Sequence, residues 1–166
     1  MFNAMNSIRA LIDENPKLSK KAITQLSNIL RNALIHGNNK VISLKEELAI
    51  VDDYLGLEKI RFEERLEINK EISKASLSQK IPPLLLQTLV ENGIKHGIAK
   101  LIKGGLIKII TNTTNKELII TVINSGKLVE NSSPDTGIGI INTKKRLMLE
   151  YGKKASFSIN NISENE

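Results

Sequence analysis

Apolar residues recur at three- and four-residue intervals from the start of the chain to Phe62, as they do in amphipathic helices. Asn15-Pro16 interrupts this pattern, because the residue before a proline is kept out of the helical region. Ser43 and Glu46 have the spacing of a capping box, which predicts that a helix starts there. The pattern therefore predicts three helices, over residues 2–12, 22–34 and 44–62.

The second and third predicted helices each carry one apolar stripe, and we expect them to pack as an antiparallel hairpin. A lone hairpin hides little of such a surface from water, so the stripes need a partner. Periodicity leaves two outcomes equally open, packing on the following domain or pairing with a second copy of the chain. The residues predicted to form a dimer in the second outcome are Ile23, Leu26, Ile29, Leu30 and Leu48.

Near Arg65 the helical spacing gives way to short alternating or β-branched runs, which are typical of strands. Strands are predicted over 66–69, 106–111, 118–123 and 155–162, with the second and third forming an antiparallel pair. Further helices are predicted from Pro82-Pro83 to Gly97 and over 140–151, with a polar loop over 127–135. The sequence thus predicts an α+β fold, with a helical region over 1–65 and a mixed region over 66–166.

Composition excludes several classes of function. The 166 residues carry a net charge of +6, but the lysines are scattered among acids, and no Trp, two Tyr and three Phe offer few stacking platforms for nucleic acid. The absence of cysteine excludes disulfides and thiolate metal sites, and two isolated histidines disfavour zinc. No stretch reaches the roughly 20 apolar residues of a membrane span, so we expect this chain to be cytoplasmic.

The helix predicted after Pro83 carries chemically unusual residues on its polar face. Glu91, Asn92, Lys95 and His96 are linked there by spacings of three and four residues. A carboxylate can take a proton, an amide oxygen suits a hard cation such as Mg²⁺, and an ammonium can meet a phosphate. Together they predict a nucleotide-phosphate site, although an isolated Glu-Asn pair is more often an ordinary exposed helix face.

Two further stretches lie where loops meet regular structure. Asn124-Ser125-Gly126 closes a predicted strand, and the run from Thr136 to Ile140 opens a predicted helix. Gly137 and Gly139 allow backbone N–H groups at a helix start to approach a phosphate. The chain contains neither Gly-x-x-x-x-Gly-Lys-Ser/Thr nor Gly-x-Gly-x-x-Gly, which disfavours Walker-type and Rossmann sites.

These stretches, in this order, resemble the N, G1 and G2 boxes of the GHKL ATP-binding fold. Pro82 to His96 reads Pro-Pro-Leu-Leu-Leu-Gln-Thr-Leu-Val-Glu-Asn-Gly-Ile-Lys-His, and Thr136 to Asn142 is followed by Lys-Arg-Leu and Tyr-Gly. More narrowly, the chain is similar to the LytS/YehU-type sensor histidine kinases over nearly its whole length. The resemblance implies a dimerising helical hairpin followed by an α/β-sandwich (Bergerat-type) ATP-binding domain.

The resemblance also implies roles for individual residues. Glu91 would be the catalytic base or orienting group, and Asn92 would hold the Mg²⁺ that bridges the phosphates of ATP. Lys95 and His96 would line the phosphate side, and Asn124 with Gly126 would contact adenine. The remaining cofactor-binding positions would be Thr136, Gly137, Ile138 and Gly139.

The chain departs from the family pattern at several positions. Asn124 stands where the family has Asp, Leu128 replaces a second glycine, and Asp135 replaces the first glycine of the last box. A neutral hydrogen bond is weaker than a charged one, so a loss of about tenfold in adenine affinity is expected from Asn124. The stretch from Phe2 to Ile8 is similar to the segment that follows the family's phospho-acceptor histidine.

The implied protein is a two-component sensor histidine kinase, of which this chain is the catalytic portion. We expect the acceptor histidine just before Met1, and a membrane-anchored parent protein. The implied partners are a second copy of the chain and a response regulator, and the implied cofactors are ATP and Mg²⁺. Two alternatives remain, another GHKL enzyme such as an anti-sigma-factor serine kinase, and a dimerisation and signalling module that has lost ATP binding.

Overall fold

The computed structural model describes residues 2–36, 39–114, 117–127 and 138–162. Within these ranges the chain forms a mixed α+β fold, as predicted. The helices are α1 (Phe2–Glu14), α2 (Pro16–His36), α3 (Leu44–Phe62), α4 (Leu85–Asn92) and α5 (Ile138–Tyr151). The strands are β1 (Ile42–Ser43), β2 (Leu66–Ile72), β3 (Lys80–Ile81), β4 (Gly105–Thr113) and β5 (Leu118–Asn124).

Polar caps fix where α2 and α3 begin. The Asn15 side-chain oxygen accepts a hydrogen bond of 3.1 Å from the Leu18 N–H, and Pro16 occupies the first helical position of α2. α2 therefore begins six residues before the predicted start. At α3 the Ser43 side chain and the Glu46 carboxylate bond reciprocally to each other's backbone N–H groups, at 3.3 and 2.7 Å. The predicted capping box is confirmed.

The main sheet has the strand order β2-β4-β5. β2 pairs in parallel with β4, and α4 lies in the connection between them, while β4 and β5 form the predicted antiparallel pair. In this register Asn124, the last residue of β5, is opposite Ile107 near the start of β4. The end of β5 and the start of β4 therefore share one edge of the sheet. β1 and β3 form a separate two-stranded ladder.

The strand predicted over 155–162 is wrong, since the structure assigns no regular element to these residues. Most of their side chains are exposed, including Ile159 and Ile162. β-branched residues favour a strand chiefly through packing against cross-strand and same-face neighbours. Among the described strands, none is paired with this segment, so its pattern alone does not form a ladder.

Helix α3 is shared by two hydrophobic cores. One core joins its residues Leu48 and Val51 to α4 and the sheet, and the other joins Leu57 to α1 and α2. Tyr54 packs against both cores. The apolar stripe of α3 is thus covered by the following part of the chain, which was one of the two outcomes open from periodicity. The predicted boundary at residues 65 and 66 stays a prediction.

The predicted dimer surface is only partly available on α2 and α3. Leu48 and Ile29 are buried in the two cores, so their assignment to an interface between copies is wrong. The physical reason is that helical periodicity marks a buried face without telling what buries it. Ile23 and Leu30 of α2 remain exposed, as does Leu34 in the following turn.

The fourth helix starts later than predicted, at Leu85 and not at Pro82-Pro83. Pro82 itself precedes a proline and is therefore kept out of the helical region. Leu84 then takes a left-handed conformation, with φ 61°, before the helix begins. The buried carboxylate of Glu47 on α3 caps this helix, because it accepts the N–H groups of Leu84 at 2.8 Å and Gln87 at 3.1 Å.

We expect Glu47→Ala to lower the free energy of unfolding by about 2–4 kcal/mol, because it leaves two part-buried N–H groups at the start of α4 without an acceptor. Urea denaturation of the wild-type chain and the variant measures this difference. Glu64→Ala is the matched control, since that side chain is fully exposed and its loss should change stability by less than about 0.5 kcal/mol. Equal stability of Glu47→Ala and wild type would contradict the capping role.

Candidate nucleotide-binding site

Asn92 is the last residue of α4 and is partly buried. Its amide nitrogen donates a hydrogen bond of 2.8 Å to the carbonyl oxygen of Thr88, one turn earlier. The other side-chain atom, Oδ1, is the acceptor of the group and has the chemistry that Mg²⁺ prefers. The orientation of Asn92 is therefore fixed by its own helix in a way that suits cation binding.

The sequence predicts that this helix ends at Gly97 with a simple glycine cap. In the structure it instead widens after Asn92 into a π turn, Gly93–Gly97. Such single wide turns inside a helix occur frequently at functional sites. A short 3-10 turn, Ile98–Lys100, follows it. Lys95 is exposed on the π turn and His96 is partly buried, while Glu91 is exposed on the last turn of α4.

The second motif packs directly on this π turn. A Cβ atom on Gly97 would lie 2.4 Å from Asn124 Nδ2 and 2.5 Å from the Ser125 carbonyl oxygen. Gly126 has φ +114°, and a Cβ there would lie 2.8 Å from Gly97 Cα. Only glycine at both positions allows the two backbones to approach so closely. The end of β5 is thereby held against the turn that carries Lys95 and His96.

The start of α5 packs on the other side of Asn92. A Cβ atom on Gly139 would lie 3.2 Å from both Asn92 Nδ2 and Thr88 Cγ2, and 3.8 Å from Asn92 Oδ1. The last of the three motifs thus meets the first through a glycine. Ile138 is the first residue of α5, whereas Thr136 and Gly137 lie outside the described residues, as do Leu128 and Asp135.

A cavity of about 350 Å³ lies between α4 and α5, next to Asn92. It is lined by Leu84, Thr88, Gly139, Asn142, Thr143, Lys145 and Arg146. The spacing of Gly139, Thr143 and Arg146 places them on one face of α5. Of the lining residues only Gly139 was a predicted site residue. Helical spacing from Gly139 is the signal that would have found Thr143 and Arg146.

Two carboxylates on α3, those of Glu47 and Glu58, have pKa values that burial shifts more than any other effect does. Burial raises the pKa of Glu47 above its ordinary value, although backbone N–H groups of α4 and the charge of Arg146 oppose this shift. Burial likewise raises the pKa of Glu58, and the nearby guanidinium of Arg61 opposes it. Both carboxylates therefore lie in surroundings that disfavour charge unless a specific partner is present.

The donor set around Asn92 suits a magnesium ion carried by a nucleotide. Among the described residues there is no group of three or more His, Cys, Asp or Glu side chains that would enclose a metal ion. Mg²⁺ in nucleotide sites usually takes one or two protein oxygens and completes its shell with phosphates and water. A single amide oxygen beside a basic cavity fits that pattern, and a self-contained metal cage does not.

A family model described as histidine kinase matches residues 1–66. The chain is 34% identical to the sensor protein LytS of Staphylococcus haemolyticus over 93% of its own length and 29% of the relative. It is 33% identical to the sensor histidine kinase YpdA of Escherichia coli and 30% identical to BtsS of the same organism, over 92% and 96% of this chain.

The chain spans less than a third of the length of each of these curated relatives, at 28% or 29%. The matches cover almost the whole of this chain, however, so the similarity includes all three motifs described above. Together with the family model, they support a relationship to sensor histidine kinases of the LytS type.

Proposed function

We propose that this chain is the catalytic portion of a two-component sensor histidine kinase, with an ATP-binding domain of GHKL type. The observation that carries the proposal is the glycine-mediated contact of all three motifs. Gly139 lies against Asn92, and Gly126 lies against Gly97, so elements distant in sequence meet around one helix. A chain that used these motifs only as turns would have no need for such close approach.

Each motif has a distinct task in the proposed site. Asn92 would hold Mg²⁺, which would draw the phosphates of ATP together and neutralise their charge during transfer. Asn124 and Gly126 would bind the adenine side, and Lys95 and His96 the phosphate side. Backbone N–H groups of the segment from Thr136 to Gly139 would bind the phosphates.

The proposed reaction moves the γ-phosphoryl group of ATP to a histidine nitrogen and leaves ADP. Positioning and charge stabilisation supply most of the catalysis in such transfers. Glu91 is exposed at the end of α4, where its carboxylate can accept a hydrogen bond from an incoming imidazole N–H and orient the nucleophile. The phosphoryl group would then pass to an aspartate of a response regulator.

The proposed location of the protein rests on its proposed kinase function and not on the fold alone. In the described ranges no helix is both long and apolar enough to cross a bilayer. We propose that the chain works in the cytoplasm as part of a longer, membrane-anchored sensor, since ATP and response regulators are found there.

Phosphoryl transfer from the longer protein to a response regulator tests this function. A histidine kinase should pass its label to an aspartate of the regulator within minutes, with loss of label from the kinase. An anti-sigma-factor type of serine kinase would instead leave acid-stable phosphate on its target, and that result would reject the proposal.

We further propose that two copies of the chain associate through the exposed side of α2. Ile23 is 48% exposed and Leu30 is 44% exposed, and they lie seven residues apart on the same face. Replacing both by lysine should raise the dimer dissociation constant at least about tenfold, because two charges would enter an apolar interface.

Sedimentation of wild type and the double variant at matched concentrations measures this association. The control is Thr24→Lys on the same helix, which should leave association unchanged because this exposed polar side chain lies about 100° around the helix axis from Ile23. A wild-type chain that stays monomeric at high micromolar concentration would contradict the prediction.

A further inference from the structure

The cavity between α4 and α5 has the chemistry of an anion-binding site. Two cationic residues, Lys145 and Arg146, line it together with the hydroxyl-bearing residues Thr88 and Thr143. Among its described lining residues there is no Asp or Glu. Its volume of about 350 Å³ is near the lower end of the range for small-ligand sites, about 300–1,000 Å³, so it suits part of a nucleotide better than a whole one.

The position of the cavity along α4 indicates which part of a nucleotide it would meet. Thr88, on the cavity wall, lies one turn before Asn92, about 6 Å closer to the start of the helix. Asn124 lies on the other side of Asn92, where a Cβ atom on Gly93 would be 3.0 Å from Asn124 Oδ1. A nucleotide with its adenine at Asn124 and its Mg²⁺ at Asn92 therefore directs its last phosphate towards the cavity.

Arg146 is the cation best placed to bind that phosphate. It is partly buried, whereas Lys145 is exposed, so water and salt screen its charge less. Side chains on a helix lean towards its N-terminus, and Gly139, about two turns before Arg146, lies against Asn92. In the described part of the chain, neither Arg146 nor Lys145 forms an ion pair with a carboxylate.

Arg146 has a simpler alternative role, as a counter-charge for the buried carboxylate of Glu47. Its charge opposes the effect of burial on the pKa of Glu47. Both carboxylate oxygens of Glu47, however, accept backbone N–H groups, those of Leu84 and Gln87. The two roles predict different results, because a counter-charge affects the fold and all nucleotides alike, whereas a ligand of the last phosphate distinguishes ATP from ADP.

We propose that Arg146 binds the γ-phosphate of ATP in the cavity between α4 and α5 and stabilises its charge during transfer. This inference rests on the proposed kinase function and adds a catalytic residue to it. A guanidinium can donate two parallel hydrogen bonds to phosphate oxygens, which fixes orientation as well as charge. In the transfer, the bond from the γ-phosphorus to the bridging oxygen of ADP breaks while a bond to the histidine nitrogen forms, and Arg146 keeps its protons.

Binding of ATP and ADP to the chain over residues 1–166 tests this role, since only ATP carries a γ-phosphate. Arg146→Gln should raise the dissociation constant of Mg-ATP at least about tenfold, because it removes charge-assisted hydrogen bonds. The dissociation constant of Mg-ADP should change less than about threefold. Calorimetric titration of wild type and variant with each nucleotide measures both constants. Arg146→Lys keeps the charge but loses the planar fork, so it should show a smaller loss for ATP alone, and it carries the test if Arg146→Gln does not fold.

Lys144→Gln is the matched control, because it removes one positive charge from the same helix. Lys144 does not line the cavity, and its ammonium lies 5.5 Å from the centre of the Phe157 ring. Its replacement should leave both dissociation constants unchanged. An equal loss of ATP affinity in Lys144→Gln would show that net charge alone is responsible, and would overturn the inference.

The longer kinase gives a second readout. At saturating ATP, Arg146→Gln should lower the single-turnover rate of histidine phosphorylation about 100- to 1,000-fold, the usual cost of removing one donor that stabilises transition-state charge. Equal losses of ATP and ADP affinity, wild-type affinity for ATP, or an unchanged transfer rate in this variant would overturn the inference and leave the kinase function standing. A wild-type chain that binds neither nucleotide would overturn the kinase function and this inference together.

Discussion

Asn92→Ala is expected to abolish Mg-dependent binding of ATP while leaving the fold intact. The variant loses the one side-chain oxygen proposed to hold the metal. Loss of a group that only orients a metal ligand already weakens affinity by about 10- to 100-fold, so loss of the ligand itself should weaken it by about 100-fold or more. The hydrogen bond to the Thr88 carbonyl is only part-buried, so its loss should lower the free energy of unfolding by about 1 kcal/mol.

Calorimetric titration of Mg-ATP into wild type and Asn92→Ala measures the effect, and circular dichroism confirms that both are folded. Asn69→Ala is the control, because Asn69 is an exposed asparagine on β2, away from α4. It should bind like wild type. If Asn92→Ala also binds like wild type, the assignment of the first motif is wrong.

The second large effect concerns phosphate on histidine. The chain over residues 1–166 should bind ATP but fail to label itself with γ-phosphate, because neither of its two histidines occupies the expected acceptor position. His36 is the last residue of α2, and His96 is in the π turn beside Asn124. We expect labelling only when the protein includes the segment with the acceptor histidine, which the family resemblance places just before Met1.

Autoradiography after incubation with γ-labelled ATP distinguishes the possibilities. A longer protein with that segment should carry acid-labile, base-stable phosphate, and replacement of its one added acceptor histidine should remove the label. Labelling of the present chain at His36 or His96 would contradict the proposed place of the acceptor. Acid-stable phosphate on serine or threonine would favour the serine-kinase alternative.

Local signals in the sequence predicted the starts of α1, α3, β2 and β5 correctly, whereas α2 begins six residues before its predicted start. The capping box at Ser43, the break at Pro16 and the β-branched runs of β4 and β5 act through the backbone of neighbouring residues, so they are readable without the fold. Two predictions that failed depend on distant partners. The strand predicted over 155–162 has no described neighbour to pair with, and the start of α4 is set by Glu47, nearly 40 positions earlier.

The candidate site likewise combines residues that the sequence predicts with contacts that only the fold shows. Motif spacing named Asn92, Gly126 and Gly139 as site residues, but it gave no physical reason for the two glycines to lie against α4 and its π turn. The pattern of apolar residues also could not predict that Leu48 is buried within the chain, because an apolar stripe suits a core and an interface between copies equally well. The burial of Glu58 could not be predicted, because a charged residue on a helix usually faces water, and only packing shows that this one does not.

The measurement that tests the central claim most directly is a titration of ATP into the wild-type chain, with and without Mg²⁺. We predict saturable one-to-one binding in the presence of Mg²⁺, with a dissociation constant below about 1 mM, the upper end of the usual range for enzyme substrates. Omission of Mg²⁺ should weaken this binding strongly. A folded chain that shows no binding at several times that concentration would contradict the kinase assignment and favour a module that signals without ATP.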